Sequence, residues 1–189
     1  MSDLKVNEIK TDIIKNQAGT SVMTISSTGA ISEPNRPCFH VTKSADQTLA
    51  NATNTIITFD EITDGSNTGR TINKGGLYAN NKFTVTSETT GIYVFYASVF
   101  FQATNSLSLH GWFLKNGSEQ QQHVYANGGW GNENKWGTYF NTQIINLSSA
   151  GDYIELQMYG GVSSSGTTNI NQNNPSNYQR TNMGGYKVS

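Results

Sequence analysis

Along most of this chain apolar side chains fall at every second position, the spacing that turns one face of a strand to a core and the other to water. In residues 153–159, Ile154, Leu156 and Met158 alternate with Glu155 and Gln157. Residues 138–147 run through Tyr139, Phe140, Ile144, Ile145 and Leu147 in a similar way. The same reading predicts strands at 38–43, 54–59, 77–86, 108–114, 123–125 and 178–188, the third interrupted by Asn80-Asn81. Lys115-Asn116-Gly117-Ser118 is a strong hairpin signal. One segment breaks the alternation: residues 91–102 are apolar or aromatic on both faces, which predicts a central strand covered on both sides. Polar stretches at 64–74 and 163–178 read as loops, and Ala-, Leu- and Glu-rich helical stretches are missing. Strand signals about every ten residues without helices imply a sandwich or jelly roll.

Residues 1–33 differ from the rest. They contain no aromatic residue, and their apolar positions come in short groups: Leu4 and Val6, then Ile9, Ile13 and Ile14, then Val22, Met23 and Ile25. Strands this short cannot bury a core alone, so the segment is expected to lean on its own domain, on sister chains or on a larger assembly; the alternative, a flexible tail, is opposed by the regular apolar spacing. Pro34 and Pro37 bracket a joint in which φ is fixed and backbone donors are lost, and a strand can begin after it. The predicted organisation is a β appendage over 1–33, a proline linker over 34–37 and a head over 38–189.

Composition sharpens this. Asn, Gly, Ser and Thr supply 82 of the 189 residues, while the chain holds 9 Tyr, 8 Phe and 3 Trp, the mixture of turn formers and strand formers expected of a β protein. A net charge of −1 provides no basic field for a phosphate backbone or an anionic membrane surface. Cys38 is the one cysteine, so no intrachain disulfide and no cysteine-based zinc site can form. Asp3 and Glu8 sit where a signal peptide would need an apolar run, and the longest apolar-rich stretch, 92–101, is far short of the roughly 20 residues of a membrane helix. The expectation is a protein made without export and without membrane insertion.

The order of these signals resembles the globular head of complement component one-q, within the tumour-necrosis-factor-like jelly rolls. Phe83-Thr84-Val85 ahead of Gly91-Ile92-Tyr93-Val94-Phe95 is similar to that family's Phe-Thr followed by Gly-Leu-Tyr-aromatic-Phe. Leu114-Lys115-Asn116-Gly117 looks like its Leu-x-Lys-Asn-Gly hairpin, without the intervening residue. Leu147 followed by Gly151-Asp152-Tyr153-Ile154-Glu155-Leu156 resembles its Leu-x-x-Gly-Asp-x-Val-x-Leu stretch, and Met183-Gly184-Gly185-Tyr186-Lys187-Val188 its closing strand. The resemblance covers 37–189 and implies a homotrimer. The loop between Phe83 and Gly91 is longer than usual for the family, and no collagen-like stem precedes the head. In its place, Val6-Asn7-Glu8-Ile9 followed by residues 19–31 resembles the openings of tail-fibre and other virion proteins of marine bacteriophages.

Candidate chemistry is sparse. His40, His110 and His123 lie in no metal-ligand spacing. Cys38 and His40 share a strand face, and the expectation there is a small buried thiol beside a polar partner. Asp60, Asp64 and Asn67 could cluster as oxygen ligands for calcium, against which stands a solvated turn held by Asx hydrogen bonds. Asp60 and Glu61 would point to opposite faces of a strand, so no facing carboxylate pair for glycoside hydrolysis is evident. No catalytic motif, cofactor or metal is therefore expected. Residues 125–139 set Tyr125, Trp130, Asn132 and Trp136 among glycines and asparagines, a pattern suited to a sugar- or protein-binding loop. The polar stretch 163–178 is a second candidate rim.

These readings combine into one expectation: an all-β jelly roll with a short N-terminal β appendage, forming a homotrimer. The two-faced run 91–102 places Tyr93, Phe95, Val99 and Phe101 as the candidate trimer core. Leu4, Val6, Ile9 and Ile13 are the candidate anchor to other virion proteins. Implied by the resemblances is a phage structural protein, a fibre or decoration protein assembled in the host cytoplasm, whose head binds a host-surface glycan or protein. The alternatives are a stand-alone trimeric lectin-like module and, against the small size and the missing carboxylate pair, a polysaccharide depolymerase.

Overall fold

A computed structural model describes residues 13–15, 18, 21–33, 35–63, 71–120, 123–127, 134–170 and 181–188, with backbone alone at 21–22, 105–107, 123–127, 134–135 and 162–165. The chain divides into two compact units, Met1–Arg36 and Pro37–Ser189.

The first unit is an antiparallel meander of β1 (Ile13–Lys15), β2 (Ser21–Ile25) and β3 (Ile31–Ser32), in that order across the sheet. Ile14 faces Met23, and Ile25 faces Ile31. The turn between β2 and β3 is closed by the Gly29 and Ala30 amides donating to Ser26, with Gly29 at φ +81, a conformation that strains any side chain. Ile13, Ile14 and Ile31 are exposed, and no described side chain of this unit is buried. Leu4, Val6 and Ile9 lie outside the described residues.

The second unit holds β4 (Cys38–Thr42), β5 (Gln47–Leu49), β6 (Asn54–Ile56), β7 (Ile72–Asn73), β8 (Tyr78–Ala79), β9 (Lys82–Thr84), β10 (Gly91–Lys115), β11 (Ser118–Glu119), β12 (His123–Asn127), β13 (Asn134–Leu147), β14 (Tyr153–Ile170) and β15 (Asn182–Lys187). β10 organises it. Residues 91–104 of β10 pair with β13 on one side, and 93–98 with β15 on the other, which continues through β4 to β7. Its second half pairs with β14 and β12, and β14 in turn with β5, β6 and β9. Register shifts between Thr104 and Ser108 mark where the strand passes from the first layer to the second. The layers face each other: the rings of Phe95 and Phe113, both on β10, lie 6.0 Å apart.

Between them lies an aromatic core. Phe39 stacks on Phe83 at 4.7 Å and on Tyr78 at 5.2 Å, and Tyr93 stacks on Phe95 at 5.7 Å. Tyr93, Phe95, Val99 and Phe101 are all 0% exposed within the single chain. This corrects the sequence expectation that they bury against sister chains: the second layer of the same chain covers them. Their shared parity on β10 gives the physical reason, since residues two apart point the same way and this set points inward.

Two tight turns follow from asparagine. Asn80 and Asn81 have φ of 51 and 62, and Asn116 and Gly117 have φ of 52 and 77, the paired positive values of a two-residue hairpin whose twist suits its strands. The second turn also joins two sequence motifs in space. Asn116 donates to Asp152 Oδ1 at 2.8 Å and accepts from the Tyr153 amide at 2.9 Å, while Lys115 Nζ lies 3.1 Å from Asp152 Oδ2. The Asn116 amide, with Lys115 adding to it, holds the Asp152 carboxyl below the usual carboxylate range. The stretch 163–178, read from sequence as a loop, is strand as far as Ile170, because β10 and β5 supply its hydrogen-bond partners.

Candidate functional site

Two outward faces of the second unit carry chemistry. On the first layer, cross-strand register aligns Ile144, Val94, Tyr186 and Cys38 in one row, and Thr142, Tyr96, Gly184, His40 and Ile72 in the next. Phe140 and Ser98 begin a third. The rim of this face is apolar and open to water: Ile144 is 73% exposed, Phe140 64% and Trp136 54%. Trp136 lies nearly parallel to Phe100, 10° between planes and 5.4 Å between centroids, and so covers it.

At the centre is a polar pair. His40 Nδ1 and the Tyr96 hydroxyl are 2.9 Å apart. Tyr96 reaches His40 across Gly184, where a Cβ would stand 2.3 Å from Tyr96 Cζ and 2.8 Å from the Phe39 carbonyl oxygen. Burial pushes the His40 imidazole below its ordinary value and the Tyr96 phenol above its own, Cys38 and Tyr186 adding to the latter. Cys38 does share this face with His40, and the imidazole is engaged by Tyr96.

On the second layer the outward face bears a groove of about 370 Å³ lined by Asn54, Ser108, His110, Trp112 and Tyr159. Register builds it: His110 faces Tyr159, Tyr159 faces Asn54, and Ser108 faces Gly161. The His110 ring lies 16° from parallel to Trp112 at 6.1 Å, and Tyr159 meets His110 edge-on at 5.7 Å and 83°. Trp112, 6% exposed, forms the floor.

No family model and no curated protein matches the sequence. Among solved structures, the crystal structure of murine APRIL is similar at 14% identity over 81% of this chain and 99% of that one, with a TM-score of 0.53. The globular domain of zebrafish complement 1qA protein aligns at 11% identity over 82% of this chain and 98% of that one, with a TM-score of 0.47. The fold is the tumour-necrosis-factor-like jelly roll.

Of the sequence-predicted ligand residues Tyr125, Trp130, Asn132 and Trp136, only Trp136 has a described side chain on this jelly roll. Tyr125 belongs to β12, where the backbone alone is described, and Trp130 and Asn132 lie outside the described residues. Trp136 sits on the outer face of the first layer, and Tyr139, at the end of the predicted loop, is a core residue at 1% exposure. Asp60 accepts from the Ser44 amide at 2.7 Å and from its hydroxyl, while Asp64 and Asn67 lie outside the described residues. Sequence reasoning missed Asn54, Trp112 and Tyr159, and noticed His110 only as a poor metal ligand. The available signal was a polar or aromatic residue at each outward position of 108–112 and at 159.

Proposed function

We propose that this jelly roll is a trimeric ligand-binding head, and that the chain is a bacteriophage virion protein whose residues 1–33 attach it to the particle while the head projects to bind a host surface. The observation that carries the trimer is the outer face of the first layer. Soluble monomers rarely expose a contiguous apolar patch of more than a few hundred Å². Here Ile144, Phe140, Trp136 and Tyr186 line one face around the His40–Tyr96 pair. The short strands and exposed isoleucines of the first unit suit a segment that finds its burial on another protein. The reading is of a protein that binds without catalysis. Among the described acidic side chains, Glu61 is engaged with Thr42, Asp60 with Ser44, Glu155 with Lys82 and Asp152 with Lys115.

Light scattering on the full chain is expected to give three times the monomer mass, and Ile144→Asp is expected to reduce it to one. A wild-type monomer overturns the trimer. Mass spectrometry of purified particles is expected to find the chain, and truncation of residues 1–33 to remove it. A trimer that never enters particles would leave the stand-alone module.

A further inference from the structure

We propose that the groove on the second layer binds one pyranose ring of a neutral glycan, a reading that rests on the ligand-binding role above and assigns it a place and a chemistry. Four observations carry it. The size is right for one ring: about 370 Å³ falls at the small end of the roughly 300–1,000 Å³ of small-ligand sites. The walls are right for a sugar. His110, Trp112 and Tyr159 form a stepped set of rings whose electron-rich faces attract the polarised C–H groups on the apolar side of a pyranose.

The polar groups are right for hydroxyls. Asn54 offers an amide donor pair and an acceptor, and Ser108 and Tyr159 offer hydroxyls that serve as either. Among the described lining residues none is Asp, Glu, Lys or Arg, so an acidic sugar or an ionic side chain would lose its water there without gaining a countercharge. Finally, the end of the groove is kept open by the absence of a side chain. A Cβ on Gly161 would stand 2.7 Å from Ser108 Oγ and 3.2 Å from Tyr159 Cε1, driving both lining groups inward.

The test titrates the full chain with methyl glycosides of glucose, galactose, mannose, rhamnose and N-acetylglucosamine. Glucuronic acid and N-acetyltyrosinamide run beside them, read by saturation-transfer difference NMR. At least one neutral glycoside is expected to bind, and glucuronic acid at least tenfold more weakly. Asn54→Ala, at an exposed position, and Tyr159→Ser are each expected to weaken binding about tenfold. Gly161→Ala is expected to abolish it, with melting temperature followed to show that each variant is folded. Absence of binding by every neutral glycoside overturns the inference. So does binding unchanged in folded Asn54→Ala and Tyr159→Ser, or preference for the tyrosine amide, which would assign the groove to a protein partner. Light scattering on the same samples separates this from the trimer: a trimer without sugar binding overturns the groove alone, and a sugar-binding monomer overturns the trimer alone.

Discussion

The two units are built by one rule and end in different states. Both are antiparallel strands joined by tight turns with a glycine or asparagine at positive φ. The first has strands of 3, 5 and 2 residues, no aromatic residue before Phe39 and no buried described side chain. The second has strands of up to 25 residues and a core in which phenylalanine and tyrosine rings stack on one another. Alternation therefore specifies local pairing in both, while autonomy comes from strand length and aromatic volume. A two-stranded hairpin is marginal in water and a third strand helps only where a hydrophobic face is buried, whereas a single aromatic ring buries roughly 150–250 Å².

The widest separation between the units is expected from truncating one apolar side chain in each. Phe95→Ala should cost the second unit about 3–5 kcal/mol, as large aromatic truncations in cores do. Ile14→Ala should change the urea midpoint of the isolated chain hardly at all, within about 0.5 kcal/mol. Comparable losses would mean that the first unit has a core of its own.

Glycines give a smaller contrast with two different causes. Gly184→Ala meets Tyr96 Cζ at 2.3 Å and a backbone oxygen, and overpacking of this kind costs about 1–3 kcal/mol. Gly29→Ala meets nothing within 4 Å, and its cost is the left-handed backbone alone, about 1–2 kcal/mol. Thermal melting should follow the first substitution. Only amide exchange in the β2–β3 turn should follow the second.

The smallest effect is a pH dependence confined to the second unit, which holds all three histidines. His40 has its pKa lowered by burial from 6.5, so the folded state resists a proton that the unfolded chain accepts. Above pH 6.5 both states are neutral at this position and stability is full. As the pH falls through 6.5 toward the folded value the unfolded state binds more protons and stability declines. Stability against pH between 7.5 and 5 should show this slope in the wild type and a flatter one in His40→Asn. An unchanged slope assigns the effect to another group.

Much of the fold was legible because its signals are local. Asn116-Gly117 announces a two-residue turn through residues that tolerate positive φ, and Ile154, Leu156 and Met158 announce a half-buried strand. Asn80-Asn81, read as an interruption of one strand over 77–86, instead folds it into the hairpin of β8 and β9, because both asparagines take positive φ. The continuity of β10 was not legible. Gln102-Ala103-Thr104-Asn105-Ser106 has no apolar rhythm, and it is held as strand by partners on β13 and β14 that are distant in sequence. The polar second half of β14 was missed for the same reason. The two-faced run 91–102 did show that both faces needed cover, but not which face the chain's own second layer would take. Tyr93, Phe95, Val99 and Phe101 went inward, leaving Ile92 and Val94 on the outer side with Ile144 and Tyr186. The groove was invisible because Asn54, His110 and Tyr159 stand on three strands and meet only through register.

β10 has a mechanical consequence. One strand of 25 residues, roughly 80 Å if drawn straight, is stitched into both layers by hydrogen bonds along nearly its whole length. The layers therefore have no hinge of their own, and neither can be peeled away while the other stays intact. A tug applied to one face is distributed along this strand to the opposite face, so many bonds must slip together before any part gives way. A head built in this fashion resists shear as a single stiff block.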